Sequence, residues 1–175
     1  MLALGSSCPA FDLPGTDGRR HTLDGFAEKK LLVVIVSCNH CPYVVAYEPR
    51  IVALSREYAA AGVQVLAVNA NDAVRYPDDG LEPMKVRAEE RNFGFPYVRD
   101  DSQAFVRALG AKFTPEVFVF DADRKLRYQG RIDDNHRDAT KVSAHDLHDA
   151  IRALLAGESP KVEKTAAFGC SVKWK

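Results

Sequence analysis

The sequence has no surplus charge of either sign: Lys plus Arg and Asp plus Glu both number 24. A chain without a net field is not drawn to nucleic acid or to an anionic membrane surface, so its partners must be chosen by a local site. Long apolar runs are missing too, and the longest, Leu31 to Val36, is far too short to cross a bilayer. The start from Met1 to Pro9 lacks the basic and apolar regions of a secretory signal, so the expected compartment is the cytoplasm. Cysteine is scarce, four residues in 175, which is too few for a disulfide scaffold. In a reducing compartment a close cysteine pair reads instead as redox-active or metal-binding. There is no internal repeat and no low-complexity tract. What is present is enough apolar material, 46% of residues, for one core-bearing domain over 1–157, followed by a tail over 158–175.

Turn chemistry at Pro14-Gly15 and Asp17-Gly18 around short apolar pieces predicts an opening hairpin within residues 5–26. The β-branched run Leu31 to Val36 suits a central strand covered on both faces. From Pro42 to Ala61, apolar residues recur at helical spacing and Gly62 closes the segment; Pro49 predicts a kink or a break into two pieces. Val63 to Asn69 is a second buried strand, and strand-helix-strand implies a right-handed parallel crossover. Residues 70–80 read as a polar loop ahead of a helix over 82–92. Tyr97-Val98 follows as a short strand, and Ser102 to Leu109 as a short helix ended by Gly110. Glu116 to Phe120 and Leu126 to Ile132 read as a hairpin joined through residues 121–125, and Ala144 to Ala156 as the last helix. The result is an α/β protein with a central mixed sheet, helices on its faces, an N-terminal hairpin and a C-terminal tail.

Cys38-Asn39-His40-Cys41 lies between the buried strand and the long helix, where free backbone N–H groups and the positive end of the helix dipole converge. A thiol with pKa near ~8.5 is a few per cent thiolate at neutral pH; a shift to about 6 makes it about nine-tenths thiolate, for roughly 3.4 kcal/mol. A protonated His40 adds to such a shift, and Pro42 suits the first helical position because its missing N–H has no partner there. Two cysteines at this spacing close a disulfide across one turn, so one attacks a partner and the other releases it. The chemistry needs no cofactor and no metal. A zinc site would have to recruit His40, Cys8 or Cys170, since there is no second Cys-x-x-Cys.

The segments Gly5 to Gly18, Cys38-Asn-His-Cys-Pro-Tyr43, Ala46-Tyr-Glu48, Gly130-Arg-Ile-Asp-Asp134 and Gly169-Cys-Ser-Val-Lys-Trp174 together resemble a peroxiredoxin-like branch of the thioredoxin superfamily, the peroxiredoxin and redoxin group, from end to end. The resemblance implies a thioredoxin-like fold, and it implies that Thr114-Pro115 is the cis-proline segment facing the dithiol. Such a segment leaves a backbone edge free for an extended partner peptide. Strand topology also brings Asn69, Asn71, Asp72, Arg131 and Asp133 toward the same end as Ser37. Each reads equally as an ordinary solvated loop residue or a local ion pair. His136 carries no ligand pattern, and His145 with His148 reads as part of a solvated helix face. The tail is either a loose terminus or a segment that folds back and brings Cys170 to the dithiol.

Three functions compete. In thiol–disulfide exchange, Cys38 as the more exposed thiol attacks and Cys41 resolves, with protein or small-molecule thiols and disulfides as partners. In peroxide reduction, Cys41 becomes a sulfenic acid resolved by Cys38 or Cys170, with hydroperoxides as substrates. The third is a binding module that uses only the scaffold. The resembled group's Pro-x-x-x-Thr-x-x-Cys pattern fails from Cys41, where Val34 and Cys38 stand at the Pro and Thr positions, and from Cys38, where Leu31 and Ile35 do. With a thiol in place of the threonine, exchange is favoured.

Overall fold

The computed structural model describes residues 2–175; Met1, the first residue of the expected domain, lies outside them. Among the described residues the elements run β1 (Asp12–Pro14), β2 (Arg20–Thr22), β3 (Leu31–Ser37), α1 (Pro42–Ala59), β4 (Val63–Asn69), α2 (Leu81–Glu90), β5 (Tyr97–Arg99), α3 (Ala104–Leu109), β6 (Phe113–Thr114), β7 (Glu116–Phe120), β8 (Leu126–Gly130), α4 (Asp146–Leu155) and β9 (Cys170–Ser171). The central sheet has the order β5-β4-β3-β7-β8. Its first three strands are parallel and β7 and β8 antiparallel to their neighbours, the mixed sheet of a thioredoxin-like fold. β1 and β2 form the N-terminal hairpin.

β3 sits in the middle, and all seven of its residues are buried. Its side chains alternate between two cores, as the two-residue period of a strand requires. Leu31, Val33 and Ile35 pack with Tyr47, Ile51 and Leu54 of α1 and with Leu147 and Ile151 of α4. Leu32, Val34 and Val36 pack with Phe105, Val106 and Leu109 of α3 and with Phe11 and Leu13 of the hairpin. Burying each of these large aliphatic side chains is worth about 1.5–3 kcal/mol, so the strand that carries the dithiol at its end is anchored on both faces.

Several boundaries differ from expectation. α1 runs unbroken through Pro49, so the two-piece alternative fails: Pro49 is exposed, while Tyr47, Glu48, Ile51 and Val52 on either side are buried and hold the helix to the sheet. Glu48 adds a two-pronged bond to Arg87 of α2 at 2.8 Å for each contact. β8 stops at Gly130 rather than Ile132. There the backbone turns at φ +145 against Thr165, and a Cβ would come within 2.1 Å of the Thr165 hydroxyl. α3 starts at Ala104 because Gln103 takes a left-handed conformation, with its side chain bonding Ala70 O and Lys173 O. The polar loop over 70–80 precedes α2 as expected, and while residues 74–78 are exposed, Ala70, Asn71, Asp72 and Asp79 are buried. No helix among the described residues is long and apolar enough to cross a membrane.

Candidate active site

The end of β3 delivers Cys38, and the turn that follows delivers Cys41 to the N-cap of α1, with Pro42 as the first helical residue. Both thiols are buried, Cys38 at 1% exposure and Cys41 at 0%, so exposure does not rank them as attacker and resolver. Facing them is Thr114, joined to Pro115 by a cis peptide bond. The Cys38 thiol donates to Thr114 Oγ1 at 3.6 Å and the Cys41 thiol to the Thr114 carbonyl at 3.1 Å. Thr114 Oγ1 in turn donates to the Cys170 carbonyl at 3.4 Å. Cys38, Cys41 and Val44 form a small cluster of their own, against which Cys170 and Tyr43 pack.

When this site gives up one proton, the charge rests on Cys41. Its thiol is pulled down to about 4, first by the S–H of Cys38, against burial, with further help from Cys170, Thr114 and the backbone N–H of Val44. Val44 is the third residue of the helix, so this is the anion-stabilising end of α1 at work. Cys38 is pushed up, first by its bond to Cys41 and then by burial and the Asp79 carboxylate. Cys170 is raised to about 11 by burial and by donating to Cys41. Cys8 belongs to the opposite core cluster, where burial pushes it up to about 12.

Asp79 is the site residue that sequence reading missed. It is fully buried and gathers the dithiol turn from behind. Its Oδ1 accepts from Asn39 N–H at 2.7 Å and from Asn69 Nδ2 at 3.1 Å, and its Oδ2 accepts from Asn71 Nδ2 at 2.9 Å. His40 Nδ1 lies 2.6 Å from Oδ2, with its ring stacked on Tyr76 and its N–H not aimed at the oxygen. Tyr97 closes the network by donating to Asn39 Oδ1 at 2.9 Å and accepting from Asn69. Cys38, His40 and Asp79 thus bring three ligand-type atoms within 4.8 Å, a zinc-like donor set. Both Asp79 oxygens are already engaged, so an ion there would have to displace these bonds. The residue gives no local signal, because Pro77-Asp78-Asp79-Gly80 reads as a turn and its partners lie eight to forty positions away.

Asn69 and Asn71 therefore reach the dithiol turn through Asp79, whereas the Asp72 carboxylate bonds only within its own loop and to Arg75, and its backbone N–H bonds Lys173 O of the tail. Arg131 and Asp133 stand apart from the sulfurs. Arg131 pairs with Asp146 of α4 at 2.6 Å, and Asp133 accepts from Tyr47 and Arg50 of α1 at 2.8 and 2.6 Å. His136 lies tilted against Tyr43 with ring centroids 4.3 Å apart, at the rim of the site. His145 is exposed, but His148 is not on a solvated face: its Nδ1 lies 3.1 Å from the Tyr58 hydroxyl.

The family model described as Redoxin matches residues 3–146. The thiol-disulfide oxidoreductase ResA of Geobacillus thermodenitrificans is 27% identical over 128 residues, covering 72% of this chain and 68% of that protein. Two solved structures superpose with a TM-score of 0.94. One is a hypothetical protein from Sinorhizobium meliloti 1021, 34% identical over 100% of this chain and 96% of that chain. The other is an uncharacterized conserved protein from Geobacillus kaustophilus, 36% identical over 100% and 94%.

Proposed function

The chain belongs to the redoxin family of the thioredoxin superfamily, and from that premise we propose that it is a thiol–disulfide oxidoreductase cycling Cys38 and Cys41 between dithiol and disulfide in the cytoplasm. The observation that carries this reading is the contact of two sulfurs with each other and with the single residue before the cis-proline, at the N-cap of a long helix. The relative named as a thiol-disulfide oxidoreductase supports it.

The lowered Cys41 thiol, at the N-cap of α1, and the raised Cys38 thiol favour Cys41 as the attacking sulfur. Cys41, once it has given up the proton it donates to the Thr114 carbonyl, attacks a partner disulfide as a thiolate; a new S–S bond forms and one partner sulfur leaves as a thiolate. Cys38 then loses its proton and attacks the mixed disulfide at Cys41, forming Cys38–Cys41 and freeing the second partner sulfur. The partner is reduced by two electrons and the dithiol is oxidised by two. This order reverses the sequence-based expectation, whose premise of a more exposed Cys38 does not hold. The peroxidase reading of the peroxiredoxin-like branch uses the same Cys41 thiolate. Against it, a thiol, Cys38, stands where that branch's threonine would be, and the Arg131 guanidinium is paired with Asp146.

Trapping separates these readings. A Cys38→Ser/Cys170→Ser variant is expected to accumulate mixed disulfides with thiol partners, and Cys41→Ser is expected to trap none. The opposite pattern would return the attack to Cys38. Rapid sulfenic acid formation at Cys41 with peroxide, and no trapped thiol partner from any variant, would replace exchange by peroxide reduction.

A further inference from the structure

The backbone edge beside the cis-proline, where an extended partner peptide would pair, is already filled by this chain's own tail. β6 and β9 pair antiparallel, with Phe113 opposite Ser171 and Thr114 opposite Cys170. An added edge strand gains its affinity from main-chain hydrogen bonds and its specificity from the side chains it presents. Here the presented side chain is a thiol, opposite the residue that contacts both active-site sulfurs, and it packs on the Cys38, Cys41 and Val44 cluster. The strand is fastened on its far side. Val172 is buried and its N–H bonds Lys112 O at 3.0 Å, while Lys173 N–H bonds Asn71 Oδ1 at 2.8 Å and Lys173 O accepts from Asp72 N–H at 2.8 Å. The Trp174 ring lies under the Arg107 guanidinium, 4.4 Å from its centroid. On the near side Gly169 is pressed to the site, since a Cβ there would come within 2.1 Å of the Thr114 carbonyl.

Resting on the exchange reading above, we propose that β9 is a tethered substrate strand: it holds the binding edge in place of a partner peptide and presents Cys170 to Cys41 for intramolecular thiol–disulfide exchange. In the oxidised protein the Cys170 thiolate attacks Cys41 Sγ. The Cys41–Cys170 bond forms, the Cys38–Cys41 bond breaks, and Cys38 leaves with the electron pair and takes up the proton that Cys170 gave to solvent. One disulfide is exchanged for another, so no oxidant or reductant is consumed. Once Cys41 is in a disulfide its charge is gone, and with it one of the causes that hold the Cys170 proton in the reduced site. An external partner and the tail compete for the same edge, so the strand must lift before the partner enters.

The test uses full-length Cys38→Ser protein and oxidised glutathione. Cys41 takes up one glutathione and releases the other; Cys170 then displaces the bound one and leaves a Cys41–Cys170 disulfide. Non-reducing peptide mapping by mass spectrometry is expected to find that cross-link within a single chain. A persistent Cys41–glutathione adduct with Cys170 still open to alkylation would overturn the proposal. It would leave the exchange reading intact, because reversible Cys38–Cys41 disulfide formation is measured separately on the unaltered protein. A second measurement leaves every thiol in place. Gly169→Ala drives a methyl group into the Thr114 carbonyl, and it is expected to speed alkylation of reduced Cys41 by about tenfold or more, the factor that ~1.4 kcal/mol of lost strand docking gives. An unchanged rate in a folded Gly169→Ala protein would mean that the tail does not guard the edge.

Discussion

Two buried aspartates stand beside helix α1, and only one of them faces the sulfurs. Asp133 takes the hydroxyl of Tyr47 and the guanidinium of Arg50, so its charge is met directly by a cation on the same helix. Asp79 takes two side-chain amides and one backbone N–H, and beside it lies the His40 ring, whose Nδ1 makes no hydrogen bond. A carboxylate neutralised by arginine is a clamp with little field left over. A carboxylate held by neutral donors keeps its field, and that field falls on Cys38. The first aspartate serves the fold, and the second serves both fold and redox centre.

Removing each aspartate's partner or charge sharpens the contrast. Arg50→Ala leaves Asp133 without its cation; because the pair is only partly exposed, the expected loss is about 3 kcal/mol by denaturant unfolding. The pH profile of thiol alkylation is expected to stay where it was. Asp79→Asn costs less, about 2 kcal/mol, since the amide keeps one acceptor oxygen and loses the other, but it is expected to move the thiols. With the carboxylate gone, Cys38 ionises at lower pH. The sign for stability follows: a thiol raised in the fold favours the native state below the ordinary thiol value of ~8.5, and that advantage is lost as pH rises above it. Reduced Asp79→Asn protein is therefore expected to lose less stability in the alkaline range than the unaltered protein does. An unmoved alkylation profile for Asp79→Asn, or a moved one for Arg50→Ala, would break the comparison.

His40 tests the same asymmetry more gently. The sequence reading had it stabilising the thiolate as a neighbouring cation, but its ring is turned to Asp79 rather than to a sulfur. Its effect then comes from offsetting the carboxylate. His40→Ala leaves the Asp79 field unopposed, disfavours the thiolate of the reduced form, and is expected to make the disulfide less oxidising by about 15–30 mV. Equilibration with glutathione measures this, and an unchanged or more oxidising potential removes His40 from the redox account.

What could be read from the sequence was whatever is local in the chain. β3, β4 and α1 announce themselves by runs and spacing, and the dithiol by its place between the first strand and the helix. Pro49 does not break α1, because a proline on the solvent face of a well-packed helix costs one hydrogen bond and no core contact. Asp79 was hidden because its role is defined by partners from three other segments. β9 was hidden because two residues have no periodicity, and its strand character comes only from the edge it meets.

Arg131 carries the smallest expected effect. It was a site candidate because β8, antiparallel to β7, returns the chain to the end of the sheet where the dithiol sits. That argument places the backbone correctly and the side chain wrongly, since the guanidinium turns to Asp146 at the start of α4 and holds that helix to the sheet. Asp146 is nearly buried while Arg131 keeps about a third of its side chain in water, at 8% and 29% exposure. A pair so screened is worth about 1 kcal/mol or less. Arg131→Gln is therefore expected to lower stability by no more than that and to leave the rate of thiol–disulfide exchange, the alkylation profile and the disulfide potential unchanged. A peroxidase built on Cys41 would need a cation beside the oxygen it reduces. If Arg131→Gln slowed peroxide-dependent oxidation of Cys41 severalfold while exchange with thiol partners held steady, the guanidinium would have to swing from Asp146 to the sulfur during the reaction, and the separation drawn here between clamp and redox centre would fail on the Arg131 side.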